Sequence, residues 1–277
     1  MALVVCQQVE TKIPIEVIGV TPEALAGKSN QQISKILIRH GRHEVELGQL
    51  FRVSGSLGDS MTLVFDGLLD AVHWIGAGQQ GGAIQIQSAA GRHVGSQMSG
   101  GRIACNSNVS DYLGIEMTGG SITVAGDAGD CAGGHYPGSK FGMNRGSILI
   151  SGNAGKGLGQ AMRRGTIAVA GNTGELAGWN MLAGTIIVLG NCDKHVGAGM
   201  KRGMIAVAGT RAPELLPTFN QGGRYRVPIL SMLADWLKQQ EFNHDVSSLK
   251  SEFQEFNGDT LNGGRGELLI RADGQVE

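Results

Sequence analysis

Between Gln79 and about Thr210 one short phrase is spoken seven times, and a period this short excludes most ways of folding a chain. Aligned on Gly82, Gly101, Gly120, Gly146, Gly165, Gly184 and Gly203, the phrases step by 19, 19, 26, 19, 19 and 19 residues. Two residues after each marker glycine stands an isoleucine: Ile84, Ile103, Ile122, Ile148, Ile167, Ile186 and Ile205. Two further on come Ile86, Cys105, Val124, Ile150, Val169, Val188 and Val207. Met98, Met117, Met143, Met162, Met181 and Met200 form a column ahead of the marker, with Gln79 in the first phrase. Val94, Leu113, Ala132, Leu158, Ala177 and Val196 form a fourth.

Apolar pairs spaced by two, mostly β-branched and bounded by glycine, are short strands with one buried face. A period of 19 leaves room for neither a helix pair nor a propeller blade, so each phrase reads as one coil of a parallel β-solenoid. The predicted fold is all-β: a right-handed parallel β-helix of about seven 19-residue coils over residues 79–210. At about 4.8 Å per coil the column stands roughly 30–35 Å tall. Its core is a stack of Ile, Val and Met ladders, Met filling the irregular remainder.

Gly126, Gly152, Gly171, Gly190 and Gly209 precede Asp127, Asn153, Asn172, Asn191 and Thr210, and are expected to be left-handed corners. The stacked Asn side chains are expected to hydrogen-bond from coil to coil. Gly95, Gly114, Gly133, Gly159, Gly178 and Gly197 mark a further corner. Many of the 46 glycines are thereby placed in a structural pattern.

Residues 1–78 lack the period and read as an N-terminal β cap with lead-in coils. Strands are expected near residues 13–18, 36–39, 44–47 and 51–53, with irregular coils at 61–65 and 72–75. Residues 211–277 read as a mostly helical tail. Ile229, Leu230, Met232, Leu233, Trp236 and Leu237 have helical spacing, a second helix is expected over Val246, Leu249, Phe253 and Phe256, and a strand at Leu268–Ile270. This tail either caps the lower end of the column or docks on a neighbour.

A net charge of −1 offers no electrostatic case for nucleic-acid or membrane-surface binding. Ala2–Val5 is too short for a signal peptide, and no run approaches the ~20 apolar residues of a membrane span. A cytoplasmic chain is expected. Cys6, Cys105, Cys131 and Cys192 have no metal-ligand spacing, and Cys105 in a valine column reads as a small buried hydrophobe. Gly76–Gly81 spells G-x-G-x-x-G but leads into a strand, where a dinucleotide site needs a helix. Gly27-Lys28-Ser29 ends like a phosphate loop, yet Pro22 stands in place of its first glycine. Asn108-Val109-Ser110 has only the spelling of a glycosylation triplet. His93 and His195 share a column and read as solvated or corner residues. No spacing converges a catalytic pair or a metal site on this chain.

Two features exceed the scaffold. The 26-residue step throws seven extra residues sideways around His135, Tyr136, Pro137, Gly138, Ser139, Lys140 and Phe141, and a loop that breaks a solenoid's period is a candidate docking element. Arg145, Arg164 and Arg202 each precede a marker glycine, with Arg163 and Lys201 beside two of them. Stacked like charges need solvation or an anionic partner. The column is either a hydrated face or an anion-binding one.

Gly76-Ala77-Gly78 leading into Gly81-Gly82, the six Met-x-x-Gly phrases, Asp111–Gly114, the long coil at Gly133–Tyr136 and Leu189-Gly190 resemble the C subunit of formylmethanofuran dehydrogenase. The bacterial counterpart is the C subunit of the formyltransferase/hydrolase complex. More distantly, the repeat is similar to the glycine-rich C-terminal β-helix of the glutamate synthase large subunit. The closer resemblance covers about residues 45–210. It implies a scaffolding subunit without catalytic residues, in a cytoplasmic hetero-oligomer of one-carbon metabolism. Its partners would be an amidohydrolase-like hydrolase subunit, a formyltransferase subunit and the B subunit.

The bacterial complex passes a formyl group from formyl-tetrahydromethanopterin to a methanofuran analogue and releases formate. The archaeal one reduces CO2 with molybdenum or tungsten held in another subunit. Nine lysines against sixteen glutamines is not a hyperthermophile's profile and favours the bacterial version. The methanofuran-type coenzyme's acidic tail is expected against Arg145, Arg163, Arg164, Lys201 and Arg202. A free-standing glutamate-synthase-type domain is the more distant alternative.

Overall fold

The seven isoleucines fall in direct register in the computed structural model, which describes residues 2–272. Their strands are β8 (Ala83–Ile86), β9 (Arg102–Cys105), β10 (Ser121–Val124), β11 (Ser147–Ile150), β12 (Thr166–Val169), β13 (Thr185–Val188) and β14 (Arg202–Val207). Each pairs parallel with the next, so the chain leaves one strand and returns one strand lower, running the same way. The 26-residue step does not disturb this, because Ile122 still faces Ile148. A second line of parallel bridges joins Ala90, Val109, Ala128, Ala154, Thr173 and Cys192 with the same steps.

Before these stand β1 (Leu3–Gln7), β2 (Ile15–Glu16), β3 (Leu37–His40), β4 (His43–Glu46), β5 (Phe51–Ser54), β6 (Thr62–Asp66) and β7 (Val72–His73). Short helices α1 (Pro22–Leu25), α2 (Asn30–Ser34) and α3 (Leu47–Leu50) lie among them. After the repeats come β15 (Asn220–Arg226), α4 (Pro228–Gln239), β16 (Glu252–Gly258) and β17 (Arg265–Arg271). Among the described residues one sheet of 13 strands runs β15-β16-β17-β14-β13-β12-β11-β10-β9-β8-β6-β1-β5, and β4-β3-β2-β7 form a smaller one. The fold is all-β. No helix among the described residues is long and apolar enough to cross a membrane.

The parallel column outruns the repeat at both ends. Leu3 faces Leu63, Leu63 faces Ile84, and Ile205 faces Leu268. With the isoleucines between, these side chains form one continuous apolar ladder, each at most 1% exposed. Burying each contributes about 1.5–3 kcal/mol against leaving it in water. The six repeat methionines are also fully buried. Gln79 fits their column because its amide donates to the Gly81 and Gly82 carbonyls, at 2.9 and 3.2 Å. Cys105 is buried as a small hydrophobe in the valine column.

Three expectations need correction. Gly126, Gly152, Gly171, Gly190 and Gly209 are not left-handed. They are needed because a Cβ would strike the previous repeat, at 2.5 Å from Asn153 Oδ1 for Gly171. The left-handed glycines include Gly133, φ +66°, whose Cβ would sit 2.5 Å from Ile167 Cδ1. The expected Asn ladder does form, but side chain to backbone: Asn153 Oδ1 accepts from Asn172 N at 2.9 Å, and Asn172 Oδ1 from Asn191 N at 2.8 Å.

The tail is not mostly helical. Val246–Phe256 is a short 3-10 turn at Ser247–Lys250 followed by β16, because Phe253 is needed beneath the sheet and the segment pairs with both β15 and β17. The tail also does not choose between end cap and side cover. Strand β17 extends the sheet below β14, while α4 lays Leu230, Ala234 and Leu237 on the outward residues Leu149, Ala168, Ile187 and Ala206. Residues 273–277 of the expected tail lie outside the described residues.

The apolar run in Ala2–Val5 enters β1, which pairs parallel with β6 and antiparallel with β5.

Candidate functional surfaces on the repeat wall

One corner column carries bulky side chains where glycine is usual. Trp74, His93, Tyr112, Cys131, Leu176 and His195 have φ between 60° and 67°. Such a backbone is strained for a residue with a Cβ. At the top of the column stacking offsets that strain: the Trp74 and His93 rings lie 4.0 Å apart at 12°, and those of His93 and Tyr112 4.9 Å apart at 7°. An aromatic pair at such spacing contributes roughly 0.5–1.5 kcal/mol beyond its buried area. His93 is thus a corner residue, but half-buried rather than solvated.

The insertion closes over this stack. Tyr136 brings its ring to 5.6–6.2 Å from His93, Tyr112 and Trp74, and its hydroxyl lies 2.8 Å from both His93 Nδ1 and Ser96 Oγ. The pattern that satisfies all three has Ser96 donating to Tyr136 and Tyr136 donating to His93. Burial, then the neighbouring His73 and Arg92, lowers the His93 pKa to about 4 against the pull of Asp111, so the ring is the neutral acceptor this pattern requires. His135 donates from Nδ1 to the Tyr136 carbonyl and accepts from Gln160 Nε2 at 3.1 Å.

The loop predicted for docking therefore divides. His135 and Tyr136 turn inward, whereas Lys140 and Phe141 are exposed. Glu116 ties the halves together, accepting from the Tyr136 amide at 3.1 Å and from Gln97 Nε2 at 2.9 Å. Burial opposes its ionisation, but hydrogen bonds from Ser139, Gln97 and the Tyr136 amide hold its carboxyl below the usual range.

The basic column is real and longer than the repeat. Arg145, Arg164 and Arg202 are exposed at equivalent positions, and Arg202 pairs in register with Arg265 of β17. Among the described residues none of these four makes an ion pair. Ala183 interrupts the column in the sixth repeat. Lys201 is exposed beside it, and Arg163 places its guanidinium 4.9 Å over the Phe141 ring, joining column and loop. Arg265 escaped the sequence reading because 63 residues separate it from Arg202. Its signal was there: Gly266-Glu267-Leu268-Leu269-Ile270 repeats the marker glycine and the apolar pair. The aromatic stack was largely visible, since Trp74, His93 and Tyr112 follow one another at 19 residues, but Trp74 lies ahead of the repeat's first phrase and Tyr136 stands in the insertion, outside the period.

No family model matches the chain. Among curated proteins, the C subunit of the tungsten-containing formylmethanofuran dehydrogenase 2 of Methanothermobacter thermautotrophicus is 35% identical over 89 residues, 31% of this chain and 33% of that protein. The C subunit of the molybdenum-containing formylmethanofuran dehydrogenase 1 of Methanosarcina barkeri is 34% identical over 85 residues, 30% of this chain and 28% of that protein. These alignments span about a third of the relatives' lengths. A chain in the crystal structure of the formyltransferase/hydrolase complex (FhcABCD) from Methylorubrum extorquens, solved with methylofuran, matches far more fully. It superposes with a TM-score of 0.84 at 32% identity, over 97% of this chain and 99% of that one. The chain belongs to the formylmethanofuran dehydrogenase C-subunit family.

Proposed function

We propose that the chain is the scaffolding, non-catalytic C subunit of a cytoplasmic formyltransferase/hydrolase complex. That complex converts formyl-tetrahydromethanopterin, through a formylmethanofuran analogue, to formate. The observation that carries this reading is the end-to-end likeness to a chain of the Methylorubrum extorquens complex, against partial alignment to the redox relatives. Its partners would be the hydrolase, formyltransferase and B subunits, and the His135–Phe141 insertion would be a docking element.

In this reading residues 79–210 form a right-handed parallel β-helix of about seven 19-residue coils, residues 1–78 are its cap and lead-in, and residues 211–277 are its tail, of which the described part, 211–272, wraps on the lower half. The two lines of parallel pairing at the repeat's own spacing support that architecture. A stiff rod suits a bracket between active sites carried by other chains.

The basic column fits an acidic coenzyme tail: Arg145, Arg164, Arg202 and Arg265 are exposed, in one line and without an ion pair among the described residues, with Arg163 and Lys201 alongside. They would hold carboxylates of a methanofuran-type coenzyme by charge-assisted bonds. Each exposed pair contributes at most about 1 kcal/mol, so several must act together.

A second reading, the C subunit of a molybdenum or tungsten formylmethanofuran dehydrogenase, is favoured by the curated relatives. Purification from the source organism with whatever accompanies the chain separates the two. Formate release from formyl-tetrahydromethanopterin supports the first, and dye-linked formylmethanofuran oxidation with bound molybdenum or tungsten the second. A polypeptide that purifies alone in active form overturns both.

A further inference from the structure

The outward half of the insertion borders a groove of about 410 Å³ lined by Gln97, Glu116, Thr118, Ser139, Phe141 and Asn144. Two properties define what fits it. Its aromatic wall is Phe141, 44% exposed, with Arg163 against the ring. Lys140, Arg145 and Arg163 supply exposed positive charge around it, and none makes an ion pair among the described residues. The one carboxylate in the lining, Glu116, is already engaged by Tyr136 and Gln97.

We propose that this groove is a socket for an extended acidic segment of a partner subunit. The segment rests an apolar side chain on Phe141 and brings a carboxylate to Lys140. Charge complementarity selects an acidic occupant, and the aromatic wall selects a peptide, since a small anion has no use for it. The inward half of the loop prepares the socket. With Tyr136 held between His93 and Ser96, the lip is ordered before the partner arrives, which lowers the entropy lost on docking. This inference rests on the chain working within a complex and on the insertion as its docking element.

The test co-expresses the full chain with its partner subunits and measures subunit dissociation. Lys140→Glu and Phe141→Ala should each weaken assembly by at least about tenfold, with the melting temperature of the full chain alone unchanged. Tyr136→Phe should weaken assembly a few-fold through the loss of loop order. Deletion of residues 135–141 is the control. If deletion disrupts assembly while the three point variants dissociate as the parent, the socket is overturned and the docking loop stands. If deletion also leaves assembly intact, both are overturned. If the point variants assemble normally yet the full chain loses binding of inorganic phosphate, the rim serves a small anion and the socket is again overturned.

Discussion

The first three repeats and the last four are built alike inside and unlike outside. Inward, both stack isoleucine on isoleucine without a break. Outward, the residue between the paired core positions is Gln85, Ala104 and Thr123 in the upper repeats, but Leu149, Ala168, Ile187 and Ala206 in the lower. The lower set is buried under α4, Phe242, Leu249 and Phe253, in a second core that the upper set lacks. The upper repeats carry instead the Trp74–His93–Tyr112 stack at a corner, closed by Tyr136. Inward residues decide that the chain winds into a column. One outward residue per repeat decides which part of the column the chain covers itself.

The strongest blow falls on what both halves share. Ile167→Asp would bury a charge between Ile148 and Ile186, costing several kcal/mol or forcing protonation, and should leave little soluble folded protein. A soluble variant with the parent's melting temperature would mean that the common ladder does not hold the molecule together.

Next comes the contrast itself. Ile187→Ala on the covered face should cost about 2–4 kcal/mol in chemical denaturation, since it opens a cavity under α4. Thr123→Ala, at the equivalent position of the uncovered face, should stay within about 0.5 kcal/mol. Equal losses would erase the distinction between the halves.

Much of this was legible in the sequence because a repeat states its register openly. Seven isoleucines at one offset from a glycine leave a single alignment, and the structure adopts it even across the insertion. The outward column was equally available, yet its change from Thr123 to Leu149 means nothing until one asks what covers it. Tail and stack were harder for a physical reason. Phe253 and Phe256 have the spacing of a helix face, but β17 offers an open strand edge beside β14, and edge pairing outweighs local periodicity. His93 is the corner residue its column suggested, but its half-burial was hidden because that involves Tyr136, 43 residues away and outside the repeat.

A smaller effect reads the upper half alone. His93 is depressed from 6.5 to about 4 by burial, so the unfolded chain binds the extra proton first as pH falls. The stability this contributes is fully present above about pH 6.5 and is lost as pH falls toward 4. His73, also lowered chiefly by burial, acts in the same direction. Hydrogen exchange at repeats one to three should therefore quicken from pH 6.5 to 4, after correction for intrinsic rates, and His93→Gln should remove part of that dependence. An equal pH response in repeats five to seven would detach it from the stack.

The smallest changes lie on the exposed rim of the lower half. Asn172→Ala removes the acceptor for the Asn191 amide and should cost about 0.5–1 kcal/mol. Lys156→Ala breaks a 3.7 Å surface pair with Glu175 and should be nearly silent in thermal unfolding.

The central claim is that this chain supports chemistry carried by others. The most direct measurement compares formate release from formyl-tetrahydromethanopterin by the purified full chain, by its partner subunits without it, and by all of them together. The account predicts no turnover by the chain alone and restored coupled turnover when it rejoins its partners. Turnover by the chain alone, or full coupled activity in its absence, would contradict it.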